Sequence, residues 1–137
     1  MRRSFLLLAA MAATAILAAS AHHSFGQFNG KRTVLLNGTV VRFEWTNPHG
    51  WLWVTLVDHN GGNETWGAET KAVSGLMRDG WTKRSFRRGD KVQVYIHPMY
   101  SDTHAGEFIK AILPSGLVLQ PHEGSPGGPI GSVIETP

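Results

Sequence analysis

The sequence contains no cysteine. That excludes disulfide staples, thiolate nucleophiles, cysteine-held zinc and iron–sulfur centres. It also excludes a lipid anchor attached through a cysteine. Long apolar runs are equally scarce: only residues 5–19 form one. It follows the basic start Met1-Arg2-Arg3 and precedes the small-x-small triplet Ala19-Ser20-Ala21. This is the layout of a secretory signal peptide, too short and wrongly flanked for a lasting membrane span. The expectation is export to the periplasm, a signal peptide over 1–21 and no stable membrane insertion after its removal. Charge of either sign is also in short supply. Without Arg2 and Arg3, eleven basic side chains face ten acidic ones. That balance argues against nucleic acid as the main partner.

What is present reads mostly as strand. Residues 34–45 and 51–58 are dense in Val, Leu, Phe, Trp and Thr, around the break Thr46-Asn47-Pro48-His49-Gly50. Both faces of the second run are largely apolar, which suggests a closed wall with a further covering. A turn over 58–63 leads to a third strand at 64–69. Thr70 is positioned to cap a short helix over 71–78, with Val73, Leu76 and Met77 on one face. Asp79-Gly80 ends that helix. Further strands are expected at 91–100, 107–113 and 117–120. The expected fold class is all-β: a small five-stranded OB-like barrel with one short helix between strands 3 and 4. A single domain spans 22–120, and 121–137 reads as a flexible Pro/Gly-rich tail.

Seven histidines stand out in a chain without cysteine. If cleavage falls after Ala21, His22 becomes the first residue. Its free amine and ring nitrogen then chelate one ion, and a further imidazole completes a three-nitrogen set suited to copper. His23, His49, His97 and His104 are candidates to supply or support it, giving a metal set of His22, His23, His49 and His104. The plainer reading is an Ala-His-His junction that suits the export machinery. Five tryptophans form the second signal. Trp45 and Trp51 flank the Asn-Pro-His loop, and with Trp81 they are the candidate lining of an aromatic end that stacks on a small organic ligand. Bulky core packing is the alternative for each, and is the expectation for Trp53 and Trp66. Glu44 either orients His49 or is a surface carboxylate. Lys83, Arg84, Arg87, Arg88 and Lys91 form a local basic cluster, read either as a solvated loop face or as an anion patch.

Several pieces together resemble the DUF6152-type family of small exported proteobacterial proteins of unknown function. They are Ala21-His22-His23-Ser24-Phe25, Leu36-Asn37-Gly38-Thr39-Val40, Glu44-Trp45-Thr46-Asn47-Pro48-His49 with Trp51, Gly75-Leu76-Met77-Arg78-Asp79-Gly80-Trp81, and Gly89-Asp90-Lys91-Val92. The resemblance runs from residue 21 to about 120 and implies a small exported β-domain. It brings no activity with it. Gly50 departs from the Ala that the resemblance leads one to expect there.

Signals for catalysis are poor. Ser24 beside His23 is not a triad, because chain proximity supplies no oriented base and acid. No phosphate-cradling glycine loop and no His-Glu-x-x-His pair occurs. The sequence therefore points to an exported small-ligand binding protein, with copper or another divalent metal held by the N-terminal histidines. The alternative is a metal-free module for a small organic ligand or a protein partner. A copper-dependent redox enzyme is the remote third reading.

Overall fold

The structure is a computed structural model, and it describes residues 25–101, 103–122 and 134–137. A 3-10 turn at Phe25–Gln27 leads into β1 (Thr33–Glu44), β2 (Trp51–Val57) and β3 (Asn63–Glu69). The helix α1 (Val73–Arg78) follows, then β4 (Lys91–Pro98), β5 (Ala105–Ile112), β6 (Val118–Leu119) and β7 (Ile134–Glu135).

β1 is the longest strand and the hub of the sheet. Along its first half, from Val34 to Thr39, it pairs antiparallel with β4. From Thr39 to Glu44 it pairs antiparallel with β2. A one-residue slip between Val40 and Arg42 separates two parities. Before it Leu36 and Val40 are buried; after it Phe43 and Trp45 pack against the core. A strand carries its side chains alternately to two faces, so an extra residue is what moves odd positions inward. The imperfect alternation of this stretch in the sequence has that cause.

The expectation of an all-β, five-stranded OB-like barrel is corrected. Among the described residues the chain forms one seven-stranded sheet of order β2-β3-β5-β4-β1-β7, with β6 on β5 and a further β1–β2 pairing. The sheet is mixed, because β3 runs parallel to β5 and β7 parallel to β1. With α1 the architecture is a mixed α/β one. The apolar outer face of β2 does not form a covered wall. It carries Trp51 and Trp53, both half-buried, while Leu52, Val54 and Leu56 supply the buried side. β7 lies inside the segment read as a flexible tail.

The core is one cluster that includes Leu36, Leu52, Val54, Val94, Ile96 and Phe108. Burying such side chains contributes about 1.5–3 kcal/mol each, before the entropy of ordering them. At one end Trp81 meets Phe108 at 5.3 Å, Phe86 at 5.8 Å and Phe43 at 6.4 Å between ring centroids.

α1 starts differently from the expectation. Its N-cap is Ala72, with no side-chain cap bond of its own. The Val73 N–H donates instead to Asn47 Oδ1 at 3.2 Å, so the β1–β2 loop satisfies an orphan amide of the helix. Thr70, expected as the cap, turns its hydroxyl to the Lys71 carbonyl. Leu76 is buried, whereas Met77 is 62% exposed and leaves the expected apolar face. At the C-terminal end Asp79 meets Lys71 Nζ and, at 2.9 Å, His122 Nδ1. Burial pushes the Asp79 carboxyl up, but these two partners together hold it below its ordinary value.

Candidate functional site

The outer face of β1, β2 and β3 concentrates the polar and aromatic chemistry. Trp51 and Trp53 lie two apart on β2 and therefore share a face. Their rings stack at 5.5 Å with 20° between planes. The guanidinium of Arg42, the β1 partner of Trp53, lies 4.6 Å from the Trp53 ring centroid. Its Nε donates to Glu44 Oε1 at 2.7 Å, which fixes its aim. The result is a column of Arg42, Trp53 and Trp51, a cation–π contact continued by an indole stack. Gly67 of β3 pairs with Trp53 and makes the column possible. A Cβ there would lie 2.9 Å from Trp53 Cζ3 and 3.2 Å from Trp51 Cε3.

Beside the Trp51 end runs a row of acids and imidazoles. His49 Nδ1 meets Glu69 Oε1 across the loop that precedes β2. Glu69 pairs with Trp51 on one side and with Glu107 on the other. Glu107 in turn pairs with His97 of β4. Burial pushes the Glu107 carboxyl above its ordinary value, His97 nearby opposes this, and the neighbouring Glu69 adds to it. His97 is only 1% exposed. Its Nδ1–H donates to the Arg32 carbonyl at 2.7 Å, so the lone pair of a neutral ring falls on Nε2. That Nε2 is buried without a hydrogen-bond partner.

The candidates from the sequence scatter. Trp45 packs against the core, 5.7 Å from Phe43. Trp81 is 3% exposed, inside the aromatic cluster. Of the three tryptophans named for the site, Trp51 alone stands on the outer face, and its stacking partner is Trp53, which the sequence reading assigned to structure. Trp66 packs against the core as expected. His49 sits at the site. His104 stacks on Trp66 at 5.1 Å and its Nε2 meets Glu64 Oε1 at 2.7 Å, so it belongs to another set of contacts. His22 and His23 lie outside the described residues.

The metal or copper centre expected from the sequence is built on His22 and His23, which are not among the described residues. Among the described residues no three or more His, Cys, Asp or Glu side chains gather in a way that could hold an ion. His49 and His104 each spend a ring nitrogen on a different glutamate. The acid beside His49 is Glu69, not Glu44, which pairs with Arg42. Sequence reasoning missed Glu69 because it lies on another strand. The β2–β3 register that pairs Trp51 with Glu69 was the signal that would have found it.

The site thus has a flat aromatic column, a cation behind it and hydrogen-bonding groups at its open end. It has no activated nucleophile. The chain belongs to a family of unknown function, DUF6152, whose profile matches residues 9–108. No curated protein and no solved structure matches it. Among the described residues no helix is long and apolar enough to cross a membrane.

Proposed function

We propose that this chain is an exported, non-enzymatic binding module that takes a small organic ligand with a flat ring against Trp51, next to the His49–Glu69 pair. The observation that carries this is the Arg42–Trp53–Trp51 column on the outer face of the sheet. Two stacked indoles backed by a guanidinium offer a rigid apolar surface at low entropic cost. The acid–imidazole row beside them supplies directional contacts, the usual division of labour in small-molecule sites. The export part is supported by the basic start, apolar run and Ala19-Ser20-Ala21 triplet.

The test is a titration of the purified chain with riboflavin, as a flat heteroaromatic, and with methyl β-glucoside, as a sugar ring, read by indole fluorescence. One of the two is expected to quench saturably, unaffected by a chelator. Trp51→Ala should weaken binding about tenfold, the worth of one ring-stacking contact. Gly67→Ala should weaken it too, by displacing the column. Equal binding by Trp51→Ala, or none by either probe, removes the reading. Cell fractionation with terminal sequencing tests export, which predicts a chain beginning at His22.

A further inference from the structure

Lys83, Arg84, Arg87 and Arg88 crowd the stretch between α1 and β4, and Lys91 opens β4. Among the described residues none of them forms an ion pair with a carboxylate. By contrast Arg32 holds Glu135 and Arg42 holds Glu44. The loop that carries the first four is built firmly. Phe86 anchors it in the core, and Gly89 N–H and Val40 N–H exchange bonds with Val40 and Asp90 carbonyls at 2.9 Å each. Unpaired cations on a fixed backbone make a standing positive potential, not a fluctuating one.

Two hollows adjoin this loop. One, of about 410 Å³, is lined by Arg84, Ser85, Arg87, Asp90 and Ser115, with Leu113 on its wall. The other, of about 640 Å³, is lined by Lys91, Thr39, Thr55, Val57 and Ile112, with Leu113 again on its wall. Leu113 therefore joins them into one surface track. The track is cationic at the Arg84–Arg87 end and mixed apolar and hydroxylic at the other. The one acid on it, Asp90, accepts the Arg87 backbone N–H at 2.9 Å. Lys91 and Thr39 both line the second hollow, and the Lys91 ammonium donates to Thr39 Oγ1 at 2.6 Å. Val57, at the far side, is 74% exposed, an apolar side chain with nothing covering it.

We infer that this track is a second binding site, for an organic phosphate: the phosphate sits between Arg84 and Arg87, and its apolar body passes over Leu113 toward Val57 and Ile112. Paired guanidinium forks match the geometry of phosphate oxygens, and serine hydroxyls add donors. A bare anion would leave the larger hollow unused, and a neutral apolar molecule would leave the arginines unpaired. The site is independent of the Trp51 column. The same chemistry is offered by a soluble phosphate monoester and by a lipid headgroup.

The experiment titrates the mature chain with three probes, read by amide shifts of Arg84, Lys91 and Leu113 in NMR. The probes are inorganic phosphate, dihexanoyl phosphatidic acid below its micelle concentration, and dihexanoyl phosphatidylcholine. Phosphatidic acid should bind about tenfold or more tighter than either of the others, a difference set by the second half of the ligand in each comparison. Arg84→Gln with Arg87→Gln should bring phosphatidic acid down to the level of phosphatidylcholine. Val57→Asp, an exposed position that spares the core, should bring it toward inorganic phosphate. Trp51→Ala should change none of these. Inorganic phosphate binding as tightly as phosphatidic acid overturns the inference, because charge alone then suffices. Phosphatidylcholine binding as tightly overturns it as well, and so does the absence of binding by all three. With binding established, capture of the chain by phosphatidic-acid vesicles assigns a lipid source, and binding of the soluble probe alone assigns a soluble monoester.

Discussion

Glu107 shows how a single residue can sit at a cost on the site's face. Burial pushes its carboxyl up, His97 opposes, and Glu69 adds to the push. An unfolded glutamate ionises near pH 4.3. As pH rises from below that value, the unfolded chain releases this proton first and the folded chain later. Glu107's contribution to stability is therefore fully present below the unfolded value and is lost as pH rises through the raised folded value. Glu107→Gln keeps the shape and removes the titration. It should raise the melting temperature at pH 7 and bring no gain at pH 3.5. A scan of melting temperature against pH for both proteins checks this, and a variant that melts lower at pH 7 would refute it. None of this was legible in the sequence, where Glu107 is one acid among ten. His49 was legible as a site residue because it follows the Asn-Pro break. Its partner was not, because Glu69 is twenty residues away and only strand pairing brings it back.

At the scale of elements, the strands were readable where composition and alternation agree, and the exceptions have physical causes. β1 looked irregular because the slip between Val40 and Arg42 switches its buried parity. The helix cap was misplaced because Asn47, not a neighbour in the chain, supplies it. β7 is two residues long, and so short a pairing leaves no period to read. The barrel expectation fails for a related reason: the two apolar faces of β2 are not core and covered wall, because one carries an indole column, and the sheet is mixed, with β3 parallel to β5. The junction between β1, β2 and α1 turns on Gly50. Its N–H reaches the Lys71 carbonyl at 3.4 Å, and its carbonyl receives the Thr70 N–H at 2.8 Å. A Cβ there would lie 2.7 Å from Thr70 Oγ1 and 3.0 Å from the Glu44 carbonyl oxygen. The hydroxyl can rotate, but the carbonyl belongs to paired backbone. Gly50→Ala should therefore destabilise the chain by about 1–3 kcal/mol, as overpacking does. Urea unfolding measures it. An unchanged midpoint would mean the loop yields more easily than its bonds suggest.

At the scale of the whole molecule, the aromatic cluster ties the functional parts together. Trp81 touches Phe43 of β1, Phe108 of β5 and Phe86 of the basic loop. Its backbone N–H also donates to the Leu76 carbonyl of α1 at 2.9 Å. One residue thus ties the helix through its backbone, and the sheet and the basic loop through its ring. The sequence left Trp81 open between ligand contact and core, because an indole after a helix-ending glycine fits either. Three other aromatic rings around it decide for the core. Trp81→Ala should cost about 3–5 kcal/mol, the range for emptying a large buried aromatic. A domain of this size has about 5–15 kcal/mol in total, so the variant should fold only marginally. Trp81→Phe keeps most of the volume and should lose far less. The two variants separate packing from recognition. If Trp81 serves only the core, Trp81→Phe should bind phosphatidic acid and the ring probes as the parent does, while melting at a lower temperature. Loss of ring-probe binding in Trp81→Phe, with the fold intact by hydrogen exchange, would move this residue from the core to a site and would reopen the aromatic end as the place where ligand enters.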